Sequence, residues 1–366
     1  MKKMAVVSLL FGLLVSMASA QMLIGSKAAG MGGAGVANVT DLAAVYYNPA
    51  ALMESGAKAV EMKIALGAAY SKPDKLIESM GKATDPGKFL LDNYATDLNF
   101  SGRFDGIVGI NVRKIGLSVL PVGTVSVSKP PLSTAGTVRA NLMYGTILTL
   151  GTTQSIPMLP IGKIDFGVNI KSISDTIGGV VASASLANPT TESSGIFTQA
   201  TGTGTGFDIG ALASFDVPMV TNLKVGVVMR DLGETINYTN KSQTAHIDQV
   251  TGQATYEPES SLPGSTVTVN GSTAIGASAV IPGVGATVAG DIEMTNPDTN
   301  IHMGVEYPMM LGMLVLRAGV ASGPNLGLTT IGAKVNLPVL TLDVAMISNS
   351  KQSDLSSMVV DINLGF

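Results

Sequence analysis

The chain has no cysteine and no tryptophan, only 5% aromatic residues, and only 13% charged residues. Lack of cysteine excludes disulfides, thiolate nucleophiles and thiolate metal ligands. The charge content is about half of what a soluble domain carries. A net charge of −4 is too small to favour nucleic acid or a strongly charged partner. Beyond the first twenty residues there is also no apolar run approaching the roughly 20 residues a membrane helix needs. Yet 46% of the residues are hydrophobic and the mean hydropathy is +0.38. The apolar residues are dispersed at alternate positions with glycine between them. That pattern suits strands facing lipid, since only helices and closed barrels satisfy their backbone inside a bilayer.

The two ends point the same way. Lys2 and Lys3, the apolar run Ala5 to Val15, and Ala18-Ser19-Ala20 together read as an export signal over 1–20, cleaved before Gln21. The last seven residues, Val360 to Phe366, place apolar side chains on every second position and finish on an aromatic. Such an ending resembles the final strand of outer-membrane barrels, where it is read by the barrel-assembly machinery. The expected location is the outer membrane of a Gram-negative-type bacterium, with lipid as the main partner.

From residue 58 onward the sequence divides into about fourteen alternating segments. They lie near 58–71, 104–113, 115–128, 137–154, 160–175, 204–217, 221–232, 271–281, 285–294, 301–307, 313–321, 326–336, 339–348 and 356–366. Tight connections, five of six containing proline, alternate with longer polar stretches that include 72–103, 176–203 and 233–270. Short turns at one rim and long loops at the other is the outer-membrane arrangement. The fold expected is an all-β, closed antiparallel barrel of about fourteen strands.

Parity within the strands sorts the charges. Glu61 and Lys63 oppose Met62, Ile64 and Leu66; Asp165 and Lys171 oppose Phe166, Val168 and Ile170. Asp208, Arg230, Asp291, Glu293, Glu306, Arg317, Lys334 and Asp343 fall likewise on inward positions. A charge facing the bilayer midplane costs about 2–4 kcal/mol, so this partition is what lipid demands. The inward signs nearly cancel, which suits ion pairs bracing the wall better than a single-sign filter. A narrow, occupied lumen is expected.

Residues 21–57 do not read as strand. Gly25 to Val36 is glycine-rich, Thr40 or Asp41 can cap a short helix to Tyr47, and Asn48-Pro49 breaks it. Gly30-Met31-Gly32-Gly33-Ala34-Gly35, with Glu54 further on, matches the dinucleotide pattern in letters only, because no βαβ unit surrounds it. Ala29 to Ala37, Asp41, and Tyr47-Asn48-Pro49-Ala50-Ala51-Leu52 resemble the N-terminus of the FadL/OmpP1/TodX superfamily, nearest to its PorV/PorQ-type and TraF-like members. Gly206 to Ala211, Val227 to Gly233, and Ile301 to Tyr307 leading to Leu316 to Gly319 extend the resemblance. It implies a fourteen-stranded barrel, here 58–366, with 21–57 as a plug or hatch in the lumen. The gate residues would be Asp41, Tyr46, Tyr47, Asn48, Pro49 and Leu52. Asn48-Pro49 reads either as a kink that lets the plug bend or as a turn anchoring it at the periplasmic rim. Against a fatty-acid function, a long apolar helical hairpin is missing from the first loop, where 76–95 comes nearest.

Two functions follow from the resemblance. One is passive passage of small hydrophobic compounds. The other is a non-transporting barrel that scaffolds secretion, conjugation or surface proteins through 176–203 and 233–270. No cofactor, metal or nucleic acid is expected. His246 and His302 lack a nucleophile frame around them, so an enzyme is not expected either.

Overall fold

The computed structural model describes residues 23–54, 60–71, 92–112, 114–155, 161–184, 192–217, 220–248, 253–351 and 355–365, with Glu78 and Leu90. The export signal at 1–20, most of 76–95, Arg113 and terminal Phe366 lie outside the described residues.

The strands, in chain order, are β1 (Val60–Ser71), β2 (Leu98–Val112), β3 (Ile115–Lys129), β4 (Ala135–Ser155), β5 (Ile161–Ala184), β6 (Glu192–Val217), β7 (Val220–Asp248), β8 (Ala254–Tyr256) and β9 (Ser260–Thr268). They continue as β10 (Ser272–Val280), β11 (Thr287–Thr295), β12 (Asp298–Met309), β13 (Leu314–Gly323), β14 (Leu326–Asn336), β15 (Leu340–Asn349) and β16 (Leu355–Gly365). All pairings are antiparallel between neighbours. The sheet closes where β16 pairs β1, from Glu61 opposite Gly365 to Ser71 opposite Leu355. Short β8 and β9 pair only with the distal part of β7, while β10 pairs its proximal part. The other fourteen strands form the closed barrel.

Alternation decides which way each strand faces. On β1, Glu61, Lys63 and Ala65 are buried while Met62, Ile64 and Leu66 are exposed. On β5, Asp165, Asn169 and Lys171 are buried while Phe166, Val168 and Ile170 are exposed. The exposed set continues around the wall through Val225, Val227, Met229, Ile301, Met303, Val305, Leu342 and Val344. In a soluble protein such a surface would aggregate; as a band around a closed barrel it meets lipid. No helix among the described residues is long and apolar enough to cross a membrane. The protein is an outer-membrane β-barrel.

The structure corrects the reading of two segments as loops. Residues 176–203 and 233–270 are largely strand: β5 runs to Ala184, β6 starts at Glu192, and β7 continues to Asp248. Past the bilayer the outer face of a strand meets water too, so the apolar alternation fades. The frequent threonines, such as Thr198, Thr201 and Thr203, keep the segment extended and paired. The first strand boundary on β2 moves for the same reason, from 104 back to Leu98.

Two irregularities mark the wall. Pro121 in β3 has no N–H, and the β2–β3 ladder is interrupted opposite Gly106 and Ile107. On β7 the register to β6 shifts between Ile209 and Thr205, where Asp231 (φ 59°) and Gly233 (φ 62°) adopt left-handed backbone. The bulge is where β7 exchanges neighbour β10 for β9.

A lysine at Val305, central on the outer face of β12, should destabilise the barrel by about 2–4 kcal/mol. Val305→Thr should cost much less. Denaturant titration of barrels folded in lipid vesicles measures both.

Candidate functional site

The N-terminal segment packs against the inward-facing side chains of the wall. It contains α1 (Ser26–Gly30), α2 (Ala44–Tyr47) and a 3-10 turn over Pro49–Glu54. Asp41 Oδ1 accepts the Ala43 N–H at 3.0 Å just ahead of α2. Asn48 is forced extended (φ −161°, ψ 108°) by the proline that follows, and Pro49, needing no donor, opens the next turn. Ile24, Leu42, Val45, Ala51 and Leu52 are buried together with Ala65, Ile107, Leu120, Ile147 and Leu212 of the wall. These small and medium apolar side chains form the main core of the molecule.

Glycines on the wall allow the segment to come this close. Asn48 and Pro49 lie over Gly167, Gly210 and Gly226 on β5, β6 and β7, where a Cβ would strike Pro49 or the Asn48 amide. Met31 and Gly32 lie over Gly304 and Gly319 on β12 and β13, again without room for a Cβ. Gly167 pairs with Gly210, and Gly304 with Gly319, so each seat is made by cross-strand neighbours. Asn48 is fully buried and spends its amide on three contacts: Nδ2 donates to the carbonyls of Val36 and Ala211 at 3.1 Å, and Oδ1 accepts from Ala50 N at 3.1 Å. It sits well inside the barrel, some six residues in from the short-turn end of β5, β6 and β7, not at the rim. A rim anchor exists, but it is Glu54, paired with Lys163 and Lys224.

Polar side chains of the wall satisfy the segment's exposed backbone. Asp291 Oδ2 accepts the N–H groups of Gly35 (2.6 Å) and Val36 (2.9 Å). Asp361 Oδ2 accepts Ser26 N at 2.8 Å, and Lys63 bridges Asp361 (2.7 Å) to Asp41 of the segment (2.8 Å). This last contact stands on β1 and β16, the strands that close the barrel. Asn169 donates to Val45 O at 2.6 Å, Thr330 accepts from Gly32 N at 3.0 Å, and His302 Nδ1 lies 2.7 Å from Gly32 O. The histidine is buried on a structural partner, with Nε2 3.8 Å from Glu293.

The remaining inward charges gather into separate groups. Arg317 holds Glu306 at 2.6 Å and Asp343 at 2.7 Å, and Lys334 faces Asp343 in the register. Arg230 pairs with Glu293, and its guanidinium lies 5.7 Å from the Tyr46 ring centre. Tyr47 is buried edge-on against Tyr46. Lys171 is surrounded by Asp208 (3.0 Å), Asp231 and Glu234 (2.7 Å) at the β7 bulge. Asp165 takes a hydrogen bond from Thr153 at 2.6 Å, and Glu61 one from Asn363 at 2.7 Å. The sequence singled out neither Asp231 nor Glu234 as a site residue, since they fell in or beside an expected loop; Asn169 it placed only on the inward face. It placed Glu54 only in a nucleotide pattern. Same-level inward glycines on neighbouring strands were the available signal for the docking seats.

Beyond the Lys171 group, toward the long-loop end, the inner wall turns apolar. Ile173, Ile177, Ile236 and Tyr238 cluster with Met143, Ala200, Val267 and Val269. The Tyr238 hydroxyl donates to Asp175 at 2.5 Å, a polar point in an otherwise apolar patch.

Replacing Gly210 by valine would push into Asn48 and should weaken docking by about 1–3 kcal/mol while leaving the strands paired. The check is faster protease cleavage within 23–54 with unchanged strand content. A second expectation concerns Glu54. Burial alone would raise its carboxyl, but hydrogen bonds and charge from Lys163 and Lys224 outweigh that and hold it down at about 2. A value depressed below the ordinary 4.5 gives a contribution complete above 4.5 and lost as pH falls toward 2. A spin label on Met53→Cys should therefore be immobile at neutral pH and gain motion only below 4.5. Glu54→Gln should abolish that pH dependence.

No family model matches the sequence, and no curated protein does. Solved structures do match. The toluene transporter TbuX of Ralstonia pickettii aligns with a TM-score of 0.59 at 11% identity, over 93% of this chain and 98% of that one. The toluene transporter TodX of Pseudomonas putida gives 0.59 at 12%, with coverage of 93% and 98%. A FadL homologue of Pseudomonas aeruginosa gives 0.56 at 13%, with coverage of 94% and 98%. The chain shares the fourteen-stranded barrel fold of these FadL- and TodX-type proteins.

Proposed function

We propose that this protein is a passive outer-membrane channel for small hydrophobic compounds, with residues 21–57 acting as a plug inside a barrel formed by 58–366. The observation that carries the reading is the lumen's division into two parts. An apolar inner patch around Ile173, Ile236 and Tyr238 lies toward the cell surface, and a docked segment packs beneath it. An apolar lining with one or two placed polar groups is how small hydrophobic ligands are usually held. The likeness in fold to transporters of toluene supports the same class of cargo. In this reading Asp41, Tyr46, Tyr47, Asn48, Pro49 and Leu52 form the gate. Asn48-Pro49 is its pivot, because three hydrogen bonds and close contact with Gly167, Gly210 and Gly226 hold it where the chain bends.

A second reading, a scaffold for surface or secretion proteins, draws on β5, β6 and β7. At 24, 26 and 29 residues they exceed the roughly 9–11 needed to span a bilayer and project well outside it. Cross-linking in intact envelopes would recover a protein partner if that reading holds.

The absence of native cysteine allows a clean test of the channel. Asp41→Cys with Lys63→Cys, positions whose native side chains meet at 2.8 Å, should let a bifunctional methanethiosulfonate reagent tie the segment to β1. Toluene entry into reagent-treated cells carrying this pair should fall to the level of cells lacking the protein, and reductant should restore it. Equal toluene entry with and without the wild-type protein overturns the proposal.

A further inference from the structure

We infer that the short turns joining β10–β11, β12–β13 and β14–β15 lie in lipid, so that this side of the barrel is immersed in the periplasmic leaflet through its turns. The three turns are neighbours along one arc of the rim, since β10 to β15 are consecutive in the sheet. Their sequences, Ile281 to Ala286, Met309 to Met313 and Leu337 to Val339, contain no charged residue. Their side chains stand exposed: Ile281, Val284, Leu337 and Val339 are about half accessible, Met310 is 70% exposed, and Leu311 is fully so. A rim facing water would ordinarily carry turn residues such as Asn, Asp and Ser. The loops at the other end do, at Asn296, Asn325 and Ser350-Lys351.

Three observations select lipid as the occupant. The first is continuity with the lipid-facing band. Fully exposed Leu311 follows directly on the outward row Ile301, Met303, Val305, Tyr307 and Met309; Ile281 keeps the parity of Ile275, and Leu337 that of Ile331 and Val335.

The second is length. From Ile301 to Met309 the outer face of β12 spans about 26 Å along the strand, or about 20 Å vertically at the usual tilt. That falls short of the roughly 25 Å apolar band of such barrels, so the turn at its end stands where the band is still incomplete. The strands β10 and β11, at nine residues each, are shorter still.

The third is the state of the backbone. Hydrocarbon tolerates a turn only if its polar groups are satisfied internally. Ile281 N donates to Ala286 O (2.7 Å) and Gly285 N to Ile281 O (2.9 Å). Met313 N donates to Met310 O (3.2 Å), Asn336 N to Met313 O (2.8 Å), and Leu337 N to Leu340 O (2.8 Å). The Asn336 side chain covers Gly312 O at 2.7 Å. Pro282, Pro308 and Pro338 have no donor to satisfy. The β2–β3 turn, by contrast, carries exposed Lys114.

Because the chain has no tryptophan, single substitutions report on one site each. Leu311→Trp and Leu337→Trp, in separate turns, are compared with Asn325→Trp at the opposite end. Each is folded into phosphatidylcholine vesicles with and without brominated acyl chains, and folding is confirmed by strand content. For the two turn variants we expect blue-shifted emission, quenching of about threefold by brominated lipid, and little effect of aqueous acrylamide, the behaviour of an indole at the membrane boundary. Asn325→Trp should show the reverse. Red-shifted emission from both turn variants, quenched by acrylamide and not by brominated lipid, overturns the inference and leaves this rim in water. The transport proposal is independent of either result.

Discussion

An unpaired backbone amide or carbonyl in hydrocarbon costs several kcal/mol, and the architecture of this chain follows from avoiding that cost. A strand at the edge of an open sheet would present a whole row of such groups. Pairing β16 with β1 removes the edge, and every other pairing in the closed barrel is between chain neighbours or across the single β7–β10 step, with β8 and β9 added on β7. Closure then creates an inside and an outside, and the two-residue period of a strand assigns each side chain to one of them. Charges go in and branched apolar side chains go out, because the outer face meets hydrocarbon.

An inside lined with charge has its own problem, since buried ions stay favourable only when paired. Nearly every inward charge among the described residues has a partner of opposite sign or a set of hydrogen-bond donors. Several of these partners belong to the N-terminal segment: Asp41 on Lys63, Ser26 on Asp361, the amides of Gly35 and Val36 on Asp291, and Glu54 on Lys163 and Lys224. Buried pairs of this kind add little net stability compared with apolar packing. What they supply is position. The attraction between segment and wall comes from the apolar contacts of Leu42, Val45 and Leu52 and from backbone pressed onto glycine, and the polar contacts set where along the wall the segment comes to rest.

Much of this could be read before any coordinates. Fourteen strands and the way each faces followed from a period of two, because lipid enforces that period along a membrane-spanning strand. The reading failed where lipid no longer acts. In Ile196 to Thr203 polar and apolar residues mingle on both faces, so strand and loop look alike, and only pairing with β5 and β7 settles the matter. For the same reason Asp231 and Glu234 were not assigned to the group around Lys171. A bulge on β7 turns them there, and no spacing rule anticipates a bulge.

Sequence alone thus determined the class of solvent around the protein, the strand count and the face of each strand, since these depend on local alternation and on an energy scale that every residue feels. The tertiary structure alone decided which glycines are seats and which inward charges meet. It also placed Asn48-Pro49 deep in the barrel instead of at its rim. Those facts depend on the register of strands far apart in the chain and on a segment packed against all of them at once, and neither leaves a period in the sequence.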